Sequence, residues 1–302
     1  MLKFRAEGVR GLMELLFSGV AIGSIYSILA LGFVLIFKCT KVFNFAQGTL
    51  VLVGTYLSFT LITDAGLPAP LALLISMVAG FVLGFVIERL LLRPMIGEPV
   101  LSVLLLTIGL SEIIKAVLGL VWGAWPRPFP PMFPGGSINL LGQNIPQVYF
   151  WAIISSLGVF VLFILFYRQS SMGISMRAVA TNQDYASLIG ISVSRVFALS
   201  WGFAALVGAV GGVFLASMLS VNLNLDAFAF RAFPGAVLGG MDSVGGALLG
   251  GLAIGIIENL AGKFVDPLLG GGAKEVIAFV VMLAALLVKP YGLFGTEEIE
   301  RL

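Results

Sequence analysis

Histidine is absent from this chain, and cysteine occurs once, at Cys39. Those shortages exclude a disulfide framework and the Cys/His clusters that hold zinc. They also remove the imidazole that acid–base enzymes most often use. Charge is scarce too: Asp, Glu, Lys and Arg make up 11% of the 302 residues, against about a quarter in a soluble domain. The net charge is +2 and the cations are scattered, so no footprint for nucleic acid is present. A G-x-x-x-x-G-K-[ST] phosphate cradle is also missing; Gly262-Lys263 lacks the upstream Gly and the following Ser/Thr. No metal or cofactor is expected in this chain.

Apolar residues are abundant. They form 59% of the sequence, and the mean hydropathy is +1.10. That is more apolar surface than a water-soluble core hides, so lipid is the solvent for most side chains. A helix crossing about 30 Å of hydrocarbon needs roughly 20 mostly apolar residues and satisfies its own backbone. Such stretches fall at 15–37, 42–63, 65–87, 99–122, 148–167, 196–217, 244–262 and 275–289, with a short one at 228–241 containing Pro234. The reading is all-α: a polytopic transmembrane helical bundle of about 8–9 spans, one domain over residues 1–302. Lys3, Arg5 and Arg10 precede the first stretch, but it runs past signal-peptide length and is read as a membrane helix. Lys38 and Lys41, then Arg89 and Arg93, then Arg168, Arg177 and Arg195 fall in alternate loops, which the positive-inside rule makes cytoplasmic. The 122–147 loop then lies outside, as does the N-terminal tail despite its three cations, and the side of that tail stays open.

Polar residues at particular spacings are the candidates for function. The longest cytoplasmic segment is 168–195, where Met176, Val179 and Ala180 share a helical face and Asn182 with Asp184 starts a second turn. Ala186 and Gly190 are small residues at i,i+4 that admit a close surface; a solvated loop is the alternative. Asn44 is placed to cap the second span, and either that cap or an inner gate made with Gln47 accounts for the pair. Thr107, Ser111 and Lys115 form one stripe of the fourth span. Beside it, Glu112 is spaced to pair with Lys115, either as a structural ion pair or as a polar patch along a pathway. Glycines recur four apart at Gly19/Gly23, Gly80/Gly84, Gly208/Gly212, Gly246/Gly250 and Gly251/Gly255, which lets helix backbones meet in lipid. Around Pro234–Gly251 this pattern suggests a half-helix or a pliable element beside a pathway.

Four ordered segments carry a family resemblance. Met176-Arg177-Ala178, Asn182, Ala186 and Leu188-Ile189-Gly190-Ile191 make up the first. The others are Gly23-Ser24-Ile25-Tyr26 through Asn44-Phe45-Ala46-Gln47-Gly48, then Thr107-Ile108-Gly109-Leu110-Ser111, and Ala236-Val237-Leu238-Gly239-Gly240 with Lys289-Pro290-Tyr291-Gly292. In these the chain resembles the permeases of branched-chain amino-acid ABC importers (LivH-like) over nearly its full length. The resemblance implies a multi-pass inner-membrane permease. It implies as partners a second homologous permease, two ATP-binding subunits and a periplasmic substrate-binding protein, all in membrane lipid. It also makes 168–195 the coupling loop, with Met176, Arg177, Asn182, Asp184, Ala186 and Gly190 facing the ATPase. Ser24, Asn44, Gln47, Thr107, Ser111 and Glu112 are the pathway candidates. Branched-chain or other neutral amino acids are the implied cargo, with urea and short amides carried in the same family. An ion-coupled secondary transporter and an intramembrane enzyme are the rivals, the second disfavoured by the missing catalytic side chains.

Overall fold

Three helices begin directly after a proline, because a helix N-terminus has no use for the missing N–H. Pro68, Pro99 and Pro146, all near φ −60° and ψ +135°, precede them. The computed structural model describes residues 2–132, 136–140 and 143–296, with 2–13, 140 and 143 by backbone alone. Its helices are α1 (Leu2–Thr40), α2 (Gln47–Thr63), α3 (Ala69–Ile87), α4 (Val100–Trp122), α5 (Gln147–Gln169), α6 (Ser171–Thr181) and α7 (Gln183–Leu188). These continue as α8 (Val193–Met218), α9 (Leu225–Phe230), α10 (Phe233–Gly239), α11 (Val244–Phe264), α12 (Asp266–Leu269) and α13 (Ala273–Val288). A π-helical turn, Glu88–Leu92, and a 3₁₀ turn, Arg93–Met95, prolong α3. Arg301 and the side chains of Lys3, Arg5 and Arg10 lie outside the described residues.

Six helical segments are long and apolar enough to cross a membrane: Glu14–Thr40, Ala69–Met95, Val100–Trp122, Gln147–Gln169, Val193–Met218 and Val244–Phe264. The protein is a multi-pass, helical membrane protein. α2 is a shorter apolar helix, and α13 follows the expected 275–289 stretch. Two expectations are corrected. Residues 228–241 are not one short helix but α9 and α10, broken at Arg231–Ala232, with Pro234 in the first turn of α10. The fold is also not wholly α: Ser137–Leu140 (β1) and Gln143–Pro146 (β2) pair antiparallel within the 122–147 connection.

α1 and α8 are buried at the centre, while α3, α4 and α5 expose much of their surface. α11 packs along α1 on one side and α10 on the other. Both seams are backbone on backbone. A Cβ on Gly255 would run into the Gly23 Cα, one on Gly251 into the Ser27 backbone nitrogen, and one on Gly235 would sit 2.9 Å from the Gly251 Cα. The Ser27 hydroxyl adds a bond across the seam to the Leu248 carbonyl at 2.7 Å. The expected glycine spacings are therefore close-packing devices, as Gly84 against the Trp201 carbonyl also illustrates.

The two ends of the bundle differ in charge. Lys38 Nζ donates to the Asp242 carbonyl at 2.5 Å, Arg93 Nη2 to Ser194 Oγ at 3.0 Å and Gln183 Nε2 to the Cys39 carbonyl at 3.0 Å. The expected cationic loops thus meet at one end. At the other, Trp122 Nε1 donates to Thr60 Oγ1 at 2.6 Å and Arg127 pairs with Val221. α1 runs unbroken between them, so its Glu14 end lies with the 123–146 connection. Gly255→Leu is expected to stop folded protein accumulating in membranes. Gly245→Ala, at a glycine with nothing within 4 Å of a Cβ, should keep its melting temperature in detergent within about 2 °C of the parent. Equal behaviour of the two variants would contradict the seam.

Candidate functional site

The segment between α5 and α8 is a folded knob. Ser170 caps α6 by accepting from the Gly173 N–H at 2.9 Å, and Asn182 caps α7 by accepting from Tyr185 N–H at 2.9 Å. Met176, Val179 and Ala186 are buried with Cys39 and Val196, which seats the knob on the bundle. Arg177 donates to the Tyr167 carbonyl and lies over the Tyr167 ring, closing the end of α5. Ala186 therefore faces the bundle and offers no surface for a partner. Gly190 provides a turn at φ +87° instead of a close approach, since nothing lies within 4 Å of a Cβ there. Asp184 is exposed. Among its exposed residues the knob also presents three large side chains, Tyr185, Leu188 and Ile189, at 70%, 79% and 74% exposed.

Beside the knob, the α1–α2 connection re-enters the bundle. Asn44 is not the cap of α2, whose N-cap is Ala46; its Oδ1 accepts from the Ala46 N–H at 2.9 Å. That local bond competes with helix and delays α2 to Gln47. Gln47 Nε2 crosses to the Ala204 carbonyl of α8 at 3.1 Å, packed where Gly32 leaves no room for a Cβ. Thr107 Oγ1 accepts from Phe45 N–H at 3.2 Å while donating to Leu104 O at 2.8 Å. The structure thus buries Asn44, Gln47 and Thr107 around this one connection, each bonded to backbone, with Gln47 turned towards α8. Ser24 lies apart: its hydroxyl bonds Val20 O, and its carbonyl accepts from Ser156 of α5.

α4 corrects one pairing. Lys115 Nζ reaches Asp226 Oδ2 at 2.6 Å, at the start of α9, and not Glu112. Ser111 is buried, whereas Glu112 is exposed on a helix that also exposes Leu105, Ile108 and Ile113, and it makes no ion pair among the described residues. At the break after α9, Arg231 bridges Glu258 of α11 at 3.1 Å and Glu275 of α13 at 3.0 Å.

The whole-chain pattern has counterparts. Residues 15–286 match the family described as "Branched-chain amino acid transport system / permease component". The chain belongs to that family. It is similar to the high-affinity branched-chain amino acid permease LivH of Salmonella typhimurium, with 32% identity over 96% of this chain and 97% of that one. BraD of Pseudomonas aeruginosa is 30% identical with the same coverage, and a probable LivH of Methanocaldococcus jannaschii 31% over 89% of this chain and 88% of its own. The solved PsaBC of Streptococcus pneumoniae in complex with Fab has the same fold: TM-score 0.53, 14% identity, covering 96% and 97% of the two chains.

In this member of the family, the residues that sequence spacing missed are the ionic ones around the broken helix. Asp226 precedes the expected 228–241 stretch and Arg231 falls inside it, and only tertiary packing brings them to Lys115, Glu258 and Glu275. Spacing of i,i+3 favoured Glu112 for Lys115, but a helix surface pair gains only about 0.2–0.5 kcal/mol, whereas the buried Asp226 carboxylate is costly to leave unpaired and takes the cation. Asp226→Asn should destabilise the permease by about 3 kcal/mol, because it strands the Lys115 charge. The double variant Lys115→Met/Asp226→Leu should recover most of the loss, read as melting temperature in detergent. Additive losses would contradict the pairing.

Proposed function

We propose that this chain is the membrane-spanning permease subunit of an ATP-driven importer for branched-chain or other neutral amino acids. Its pathway is shared with a second homologous permease, two ATP-binding subunits supply the ATP sites, and a periplasmic binding protein delivers cargo. One membrane domain runs the length of the chain and crosses nine times, the α9–α10 element making one crossing as a broken helix. The cation-rich end faces the cytoplasm, and residues 168–195 are the coupling element.

The observation that carries this reading is the apolar tip of α7. Three large side chains exposed together at the charged, solvated end of a membrane protein are surface that a protein partner covers. α6 and α7 are seated on α1 and α8 through Met176, Val179 and Ala186, so a push on Leu188 or Ile189 reaches the central helices. Arg177, Asn182 and Asp184 shape and cap this element. Glu112 supports the second half of the reading. A carboxylate facing hydrocarbon costs about 2.5–3.5 kcal/mol on insertion scales, and no ion-pair partner among the described residues relieves it. A water-lined passage between two permeases removes that cost and presents a carboxylate to an ammonium group. The cargo class comes from the relatives named above.

The test is ATP-dependent uptake of radiolabelled leucine, isoleucine and valine by the assembled complex in proteoliposomes, with urea alongside. Leu188→Asp/Ile189→Asp should abolish co-purification of the ATP-binding subunits and reduce uptake at least tenfold, with the melting temperature of the isolated permease unchanged. Full uptake by that variant would refute the coupling role, and transport of urea in place of the amino acids would refute the cargo. Glu112→Gln should reduce amino-acid uptake without affecting assembly.

A further inference from the structure

At the cation-rich end, between the α1–α2 connection and the start of α4, lies a cavity of about 200 Å³. A water takes about 30 Å³ of liquid, so this is room for a small ligand. Ile36, Leu92, Val103, Phe197 and Trp201 give it apolar walls, and Gln183 of α7 closes one side. Two buried polar side chains line it with unmet hydrogen-bonding capacity. Glu88 is 1% exposed, and its Oε1 has no partner among the described residues. Asn44 is 2% exposed, and its Nδ2 has none, since its Oδ1 is committed to Ala46. A buried polar group left unmet costs about 1–3 kcal/mol.

The two groups differ in kind. Glu88 offers an acceptor and Asn44 a donor. Glu98 adds a second carboxylate to the lining and no cation contributes to it; Arg93 and Arg89 act on Glu88 by charge from outside the lining, and the Arg93 guanidinium donates to Ser194. Glu88 also opens the π-helical turn that prolongs α3, a local widening of the helix that recurs at functional sites. An apolar chamber with an acceptor and a donor in its walls suits a zwitterion with an aliphatic side chain.

We propose that this cavity binds a free aliphatic amino acid from the cytoplasmic side, its ammonium on Glu88 and its carboxylate on the Asn44 amide, as a site separate from the exposed face of α4. The choice of an amino acid rests on the importer reading. Because Gln183 both closes the cavity and ties α7 to the Cys39 carbonyl, occupancy holds the coupling element in place. Amino acid accumulating inside therefore slows further import.

The experiment is equilibrium binding of radiolabelled L-leucine to the complete transporter without its binding protein. Wild type should bind one leucine per copy of this chain, and Glu88→Gln, which conserves volume, should weaken binding at least tenfold. Isoamylamine and isovalerate, each carrying one of the two charged groups, should compete at least tenfold less well than leucine. Leucine preloaded into proteoliposomes should slow ATP-driven uptake by the wild type and leave the Glu88→Gln complex unaffected. Where Glu88→Gln fails to assemble, Val103→Phe, which fills the cavity from another wall, serves the same comparison. Leucine uptake with no binding that depends on Glu88 or on cavity volume overturns the site and spares the importer reading. Binding that depends on Glu88, with no leucine uptake, upholds the site and overturns the cargo reading.

Discussion

Backbone contact between helices is the constraint on which the rest of this bundle depends. In lipid no hydrophobic force draws helices together, so dispersion between closely approaching backbones has to do so. α11 meets that demand on two sides at once, through Gly251 and Gly255 against α1 and through Gly246 and Gly250 against α10. Because its neighbours come so near, α10 needs only seven residues, and α9 and α10 can be broken without leaving the bundle. The broken element is then held by charge: Asp226 to Lys115 on one side, Arg231 to Glu258 and Glu275 on the other. Polar groups at membrane depth are tolerated where they are paired within protein.

The same seam fixes the cation-rich end. α1 delivers Lys38 to the Asp242 carbonyl beyond α10, and the Cys39 carbonyl to Gln183 of α7. The α6–α7 knob is thus hung on the helix that carries the main seam, and its buried side chains pack against α1 and α8. The cavity beside it is bordered by the same parts.

Much of the architecture was legible because membrane spans are long, apolar and proline-bounded. Eight expected stretches became helices with ends shifted by a few residues, except that α1 starts at Leu2 where the stretch was expected from residue 15. The β1–β2 ribbon escaped notice although Ser137-Ile138-Asn139-Leu140 alternates polar and apolar, since four residues are too few for periodicity to decide. The start of α2 was missed because the Asn44 side chain bonds its own backbone two residues on, a local competition that span counting ignores. At the knob, sequence identified Asn182 as a cap, but Ala186 looked outward only because a small residue admits either face. Lys115 shows the general limit: its partner is over a hundred residues away, where helix spacing gives no information.

The central claim is that the tip of α7 touches the motor. A photo-crosslinking side chain placed at Ile189, in membranes containing all the subunits, measures this directly. The account predicts a covalent adduct with an ATP-binding subunit, and none from the same probe at Trp125 on the opposite end. Labelling of the ATP-binding subunit from Trp125 but not from Ile189 would contradict it.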